Sequence, residues 1–327
     1  MKIYMRMIAR FSILALLLST TFSCGNRKRA ALSEVDEQIS GELIIFHAGS
    51  LSMPIKAISD SFMAKYPKVK ILAEASGSID AARKITELKR DCDIIASADY
   101  TIIDKLLIPE YAEENVKFAA NRMSIVYTEK SAYGNEINSE NWPEILLRDN
   151  VHIGRADPDA DPCGYRTILT LRLEKQRMDR KIAAGAAAAL SGEVFKKFPE
   201  NLLSKDNRFI RPKEVDLLAL LDVRAVDYIF LYRSVAVQHG LKFVELSPET
   251  DLSNPEMNNI YSQASVQVRG SSPSEKMEIK GEAMVYSAAI LNNAPNKRAA
   301  QAFMQYLLSP DGGGKILEKM GQPPVVK

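Results

Sequence analysis

The chain has 327 residues, 46% of them hydrophobic, with 43 Lys and Arg against 41 Asp and Glu. That near-neutral balance argues against bulk nucleic-acid binding, which needs a concentrated basic face. Three cysteines do not make a disulfide framework, and a body of roughly 290 residues can bury a core without one and divide into two lobes.

The elements begin with an export signal. Lys2, Arg6 and Arg10 form a positive start, and FSILALLL at 11–18 is an apolar run too short to span a bilayer as a helix. Small residues at 19–23 then lead to Cys24. A cleavage site ending on cysteine resembles a lipobox, although Thr21 and Phe22 depart from its usual Leu and small residue. Residues 1–23 are therefore expected to be a signal peptide, and Cys24 a lipidated N-terminus that anchors the protein in the periplasm or cell envelope. Of the 43 basic residues, three lie in this leader and no acidic one does, so 40 remain against 41 Asp and Glu. Residues 24–40 are polar, lack apolar periodicity and read as a tether.

From Gly41 onward, short apolar runs alternate with amphipathic stretches. Residues 43–46 (LIIF) read as a buried strand, residues 54–66 as a helix with Ile55, Ile58 and Phe62 on one face, and 69–73 as a strand. A helix over 79–89 with Ala82, Ile85 and Leu88 aligned, and a strand at 93–96, complete a β-α-β-α-β order. Connections too long for hairpins predict a parallel sheet covered by helices. A second unit of the same style starts at 123–127 and continues through a strand at 151–154. A long helix follows from Tyr165 into an Ala-rich run at 182–190, then a helix over 214–221 and a strand at 227–232. Strands at 242–246, 266–268 and 283–286 and an amphipathic helix over 297–308, stopped by Ser309-Pro310-Asp311-Gly312, look like a return. The expected organisation is two α/β lobes, residues 41–122 plus 244–327 and residues 123–243, with a ligand cleft between them.

Loops at the carboxyl ends of strands carry the chemistry in such sheets. Three stand out: His47-Ala48-Gly49-Ser50-Leu51, Ala75-Ser76-Gly77-Ser78, and the Asp-rich run from Asp157 to Arg166. Ser50 and Ser78 are placed to cap the helices that follow, and free N–H groups at three helix starts would together cradle an anion. Asp157, Asp159 and Asp161 do not form a calcium loop, because its sixth and twelfth positions would be Pro162 and Ile168. His47, His152 and His239 have no metal-ligand spacing, and Cys163 has no identifiable base, so neither a metal centre nor a catalytic nucleophile is expected. Cys92 and Cys163 could pair in an oxidising compartment.

Several longer motifs resemble the tungstate/molybdate-binding proteins of ABC importers, in their WtpA-like branch. They are FHAGSL at 46–51, EASGSI at 74–79, IIASADY at 94–100, DPCGYR at 161–166, RPKEVDLLALL at 211–221, YRSVAVQHGLKFVEL at 232–246 and GQPPV at 321–325. Between Gly164 and Arg211 there is no close match. The resemblance implies a type II periplasmic-binding-protein fold that clamps an oxyanion between two α/β lobes. The chain would act as a monomer, with no cofactor and no catalysis, beside a permease and an ATPase.

Carried over by motif, Ser50 and Ser78 donate to the anion from the first lobe, and Gly49 lets the backbone come close. Asp161 with the Cys163 amide, Glu214 and Tyr232 complete the site from the second. Asp161 and Glu214 would be oxygen ligands to the Mo or W centre, which can expand from four oxygens to six while sulfur cannot. The alternatives are another oxyanion such as sulfate or phosphate, ferric ion, for which Tyr232 lacks an adjacent tyrosine, and an exported metal-assisted hydrolase.

Overall fold

The computed structural model describes residues 39–185, 193–270 and 274–325. The expected signal peptide, Cys24 and the tether as far as residue 38 lie outside the described residues.

Two five-stranded sheets form the body. The first contains β1 (Gly41–Ala48), β2 (Val69–Ser76), β3 (Ile94–Ser97), β4 (Val116–Ala120) and a late strand, β12 (Val285–Ile290), in the order β2-β1-β3-β12-β4. Helices α1 (Ser52–Lys65), α2 (Ser78–Thr86) and α3 (Tyr100–Leu106) join its first four strands. The second sheet contains β5 (Met123–Tyr127), β6 (Ile153–Ala156), β7 (Ile210–Arg211), β8 (Tyr228–Tyr232) and β9 (Lys242–Glu245), in the order β7-β6-β8-β5-β9. Around it lie α4 (Trp142–Leu147), α5 (Pro162–Ala183), α6 (Leu217–Asp222) and α7 (Arg233–Gln238). An antiparallel hairpin of β10 (Ser265–Arg269) and β11 (Lys276–Lys280) precedes β12, and α8 (Lys297–Leu308) follows it.

The sheets are mixed rather than purely parallel. β1 pairs in parallel with β2 and β3, and β6 with β7 and β8. β12 runs against β3 and β4, and β5 runs against β8 and β9. The reason is the path of the chain. The carboxyl ends of the parallel strands face the cleft, so a strand arriving from the other lobe enters at the cleft and must run away from it. β5 does so directly after the crossing at Asn121 and Arg122, and β12 does so after the return.

Several expected boundaries shift. β9 pairs with β5 as far as Glu245, two residues beyond the division expected at 243. The last strand starts at Val285 rather than Ala283, and the helix expected over 214–221 is a 3-10 turn, Glu214–Asp216, leading into α6. The Ala-rich run is described only to residue 185, and α5 ends within it at Ala183.

Burial follows the apolar faces. Ile55, Ile58 and Phe62 of α1 are buried, and the Phe62 ring meets Phe303 of α8 edge-on at 5.3 Å between centroids. Such a contact is worth about 1 kcal/mol beyond its area. No helix among the described residues is long and apolar enough to cross a membrane.

Candidate functional site

The residues expected to bind the ligand converge where the two lobes meet. Ser50, Ser78, Asp161, Cys163, Glu214 and Tyr232 are all buried, although four come from the segments that follow β1, β2 and β6, one from β8 and one from the turn before α6. The lobes are closed on each other. A Cβ built on Gly49 would lie 2.6 Å from the Glu214 Oε2 of the opposite lobe, and one on Gly77 would lie 2.2 Å from the Ala160 carbonyl oxygen. Across the same seam the Arg83 guanidinium donates to the Asp159 carbonyl at 2.7 Å, and Arg269 N–H donates to Asp159 Oδ1 at 2.6 Å. Asp159 is thus a structural link between the lobes, and Asp157 accepts the Asp159 N–H inside its own turn at 2.9 Å.

The serines are not helix caps. Ser50 sits inside a 3-10 turn, Gly49–Leu51, and Ser78 is the first residue of α2, whose N-cap is Gly77; neither side chain caps. Their hydroxyls face other partners. Ser50 Oγ accepts from the Tyr286 hydroxyl at 2.9 Å, which itself accepts from Asn121 Nδ2 at 2.8 Å. Ser78 Oγ accepts the Ala98 N–H at 3.0 Å. Tyr232 repeats the pattern, its hydroxyl accepting from Arg166 Nη1 at 3.1 Å. A hydroxyl holds one proton and two lone pairs. With an incoming bond already on each oxygen, all three keep their own proton for a further acceptor. The neighbouring Ser76 Oγ is buried without a partner among the described residues.

The carboxylates behave differently. Asp161 caps α5, with Oδ1 accepting the Cys163 N–H at 2.7 Å and Oδ2 accepting the Glu214 N–H at 3.2 Å. The Cys163 amide, expected in the site together with Asp161, is bonded to that carboxylate. Its thiol is free, as is that of Cys92, so the two do not form a disulfide. Glu214 is buried, yet neither side-chain oxygen has a hydrogen-bond partner among the described residues. Burial, followed by the charge of Glu214 beside it, raises the Asp161 carboxyl well above the ordinary range, against the pull of its two N–H donors. Burial likewise raises the Tyr232 hydroxyl, so it stays a proton donor at neutral pH.

The motifs pointed to the side chains expected at the ligand and missed the residues hydrogen-bonded to them. Arg166 lies inside the DPCGYR motif and Gln322 inside GQPPV, but the motifs alone assign neither a task. Gln322 Nε2 donates to the Ser50 carbonyl at 3.0 Å. Asn121 and Tyr286 carried no local signal. Tyr286 also supplies the tyrosine beside Tyr232 that sequence adjacency did not, with ring centroids 6.3 Å apart. Its hydroxyl is engaged with Ser50 and Asn121, so the two do not offer a free tyrosine pair for ferric ion. Among the described residues, no group of three or more His, Cys, Asp and Glu could hold a metal ion.

Known proteins share this architecture. The family model for bacterial extracellular solute-binding proteins matches residues 43–321. A solute-binding protein of Petrotoga mobilis is 44% identical over 291 residues, covering 88% of this chain and 85% of that one. The molybdate/tungstate-binding protein WtpA of Thermococcus kodakarensis is 36% identical over 317 residues, covering 93% and 88%. Among solved structures, the periplasmic molybdate-binding protein of Azotobacter vinelandii aligns with a TM-score of 0.57 at 15% identity, over 87% of this chain and all but 1% of that one, covering 99%. The sulfate-binding protein SubI of Mycobacterium tuberculosis aligns at 0.60 and 12%, over 87% of each chain. At such identities the structures speak for the fold alone. The chain belongs to the bacterial extracellular solute-binding protein family, together with the WtpA proteins.

Proposed function

We propose that this solute-binding protein captures tungstate or molybdate outside the cytoplasm and delivers it to the permease and ATPase of an ABC importer. The observation that carries the reading is Glu214, buried next to Asp161 with both oxygens unpartnered among the described residues. Two unit charges 4 Å apart repel by about 4 kcal/mol at an effective dielectric of 20. A pocket built only to hydrogen-bond sulfate would exclude such carboxylates. A hexavalent Mo or W centre accepts oxygen ligands beyond its own four. Asp161 and Glu214 would coordinate the metal, while Ser50, Ser78 and Tyr232 would donate to the oxo groups.

Calorimetry with tungstate, molybdate, sulfate and phosphate tests this. The first two should bind and the last two should not. At a thousand times Kd, tungstate should stabilise the protein by about 4 kcal/mol. Tight sulfate or phosphate binding with none for tungstate would discard the reading. Tyr286→Phe removes the bond that orients the Ser50 hydroxyl, a contribution of about 1 kcal/mol. Tungstate affinity should then fall about fivefold, and an unchanged Kd would remove Tyr286 from the site.

The anchor is a separate proposal. The Cys24 thiol would be diacylated after removal of residues 1–23, tethering a monomeric binding protein to the membrane. Mass spectrometry of the mature N-terminus reads this directly, as a lipid-modified Cys24 or an unmodified one.

A further inference from the structure

Arg166 is buried in α5 of the second lobe, yet most of its partners belong to the first. Nη1 donates to the Ala98 carbonyl at 2.7 Å, and Nη2 lies 3.2 Å from Asp99 Oδ2. Both Ala98 and Asp99 follow β3, and Asp99 is fixed there because its Oδ1 accepts the Thr101 N–H at 2.9 Å and caps α3. The adjacent second-lobe Tyr165 hydroxyl donates to the same Asp99 oxygen. The only second-lobe contact among these guanidinium partners is Tyr232, at 3.1 Å.

We propose that Arg166 is the positioning residue of the oxyanion site, locked in place by Asp99 only when the cleft shuts, where it turns the Tyr232 proton toward the ligand. The inference rests on the oxyanion reading of the site. A guanidinium has no acceptor and keeps its charge, so the Tyr232 oxygen can only accept from it and must donate elsewhere. The ion pair is formed across the seam, with both side chains almost fully buried. Separating the lobes returns both charges to water, so the pair contributes to the closed form alone. Ala98 ties the device to the first lobe's own donor: its N–H is bonded to Ser78 Oγ while its carbonyl holds Arg166. One peptide segment therefore sets a hydroxyl from each lobe. The cation also sits against a site that brings two carboxylates to a dianion, where removing it leaves negative charge uncompensated.

The test is a mutant cycle read by tungstate calorimetry and by the dissociation rate. Arg166→Gln should raise Kd at least 30-fold, chiefly through faster dissociation, and Tyr232→Phe about tenfold. The double variant should be no weaker than Arg166→Gln, because the tyrosine proton has already lost its direction. Asp99→Asn should speed dissociation about tenfold, and Arg166→Lys, which keeps the charge but not the fork, should recover only part of the loss. Independent multiplication of the Arg166→Gln and Tyr232→Phe losses overturns the proposal. So does an Arg166→Gln variant that melts lower without ligand yet dissociates at the parental rate. If the parent binds sulfate or phosphate instead, the tungstate reading fails while the same cycle with that anion still decides Arg166. If it binds no oxyanion, spin labels on the two lobes decide, and an interlobe distance that Arg166→Gln leaves unchanged rejects the lock.

Discussion

Glu214→Gln is expected to stabilise the ligand-free protein while abolishing oxyanion capture. Glu214 is buried with no hydrogen-bond partner on either oxygen among the described residues, and Asp161 beside it is held above its ordinary pKa first by burial and then by the charge of Glu214. Relieving an unsatisfied buried carboxyl beside a second one recovers about 1–3 kcal/mol, and each kcal/mol shifts the melting midpoint of a protein of this size by roughly 2–4 °C. The sign of the pH dependence follows from Asp161. A carboxyl raised in the folded protein holds its proton there after the unfolded chain has lost it. Its contribution to stability therefore declines as pH rises above about 4, the ordinary Asp value. Gln at 214 removes the like charge, so the gap between variant and parent should widen from pH 4 to pH 8. Thermal melts across that range, with tungstate calorimetry at neutral pH, check both halves. A variant that melts below the parent at pH 7, or binds tungstate as the parent does, contradicts the assignment.

Gly77→Ala should have the opposite signature, with stability kept and binding lost. Gly77 has φ −60° and ψ 146°, a conformation any L-residue adopts, so the substitution adds no backbone strain and can stabilise slightly by restricting the unfolded chain. The obstacle is the other lobe. A Cβ at this position would stand 2.2 Å from the Ala160 carbonyl oxygen, which sits on backbone and cannot swing away like a side chain. The lobes must stay apart by an ångström or more, which separates Ser78 from Asp161 and Glu214. Tungstate affinity should fall at least 100-fold, equivalent to about 2.7 kcal/mol, with the ligand-free melting temperature within about 2 °C of the parent. Small-angle scattering should show a variant that no longer contracts when tungstate is added. Parental affinity in Gly77→Ala would mean that capture does not require the observed closure.

Much of the site was visible one residue at a time. FHAGSL, EASGSI and DPCGYR mark the loops that reach the cleft, and each holds a side chain now found buried there. Their local meaning was misread at two of the three. A serine ahead of a helix reads as a cap because capping is its usual task, whereas Ser50 and Ser78 accept from Tyr286 and Ala98, residues 236 and 20 positions away. Asp161 is the contrary case. Its cap is made with an amide two residues on, a contact the chain's local geometry can specify.

By itself, the sequence determined the alternation of strands and helices, the burial of α1 and α8 along their apolar faces, and the cleft loops, since periodicity and turn chemistry act over a few residues. It also carried the family motifs. Only the tertiary structure decided that β5 and β12 run against their neighbours, because direction depends on which lobe a strand arrives from. The same holds for Glu214, where a residue read as part of a helix becomes a buried carboxylate with no partner among the described residues, and for Arg166, which is held mostly by contacts with the opposite lobe. Such features arise from segments that meet only when the lobes close, and no window of the chain contains both sides of that meeting.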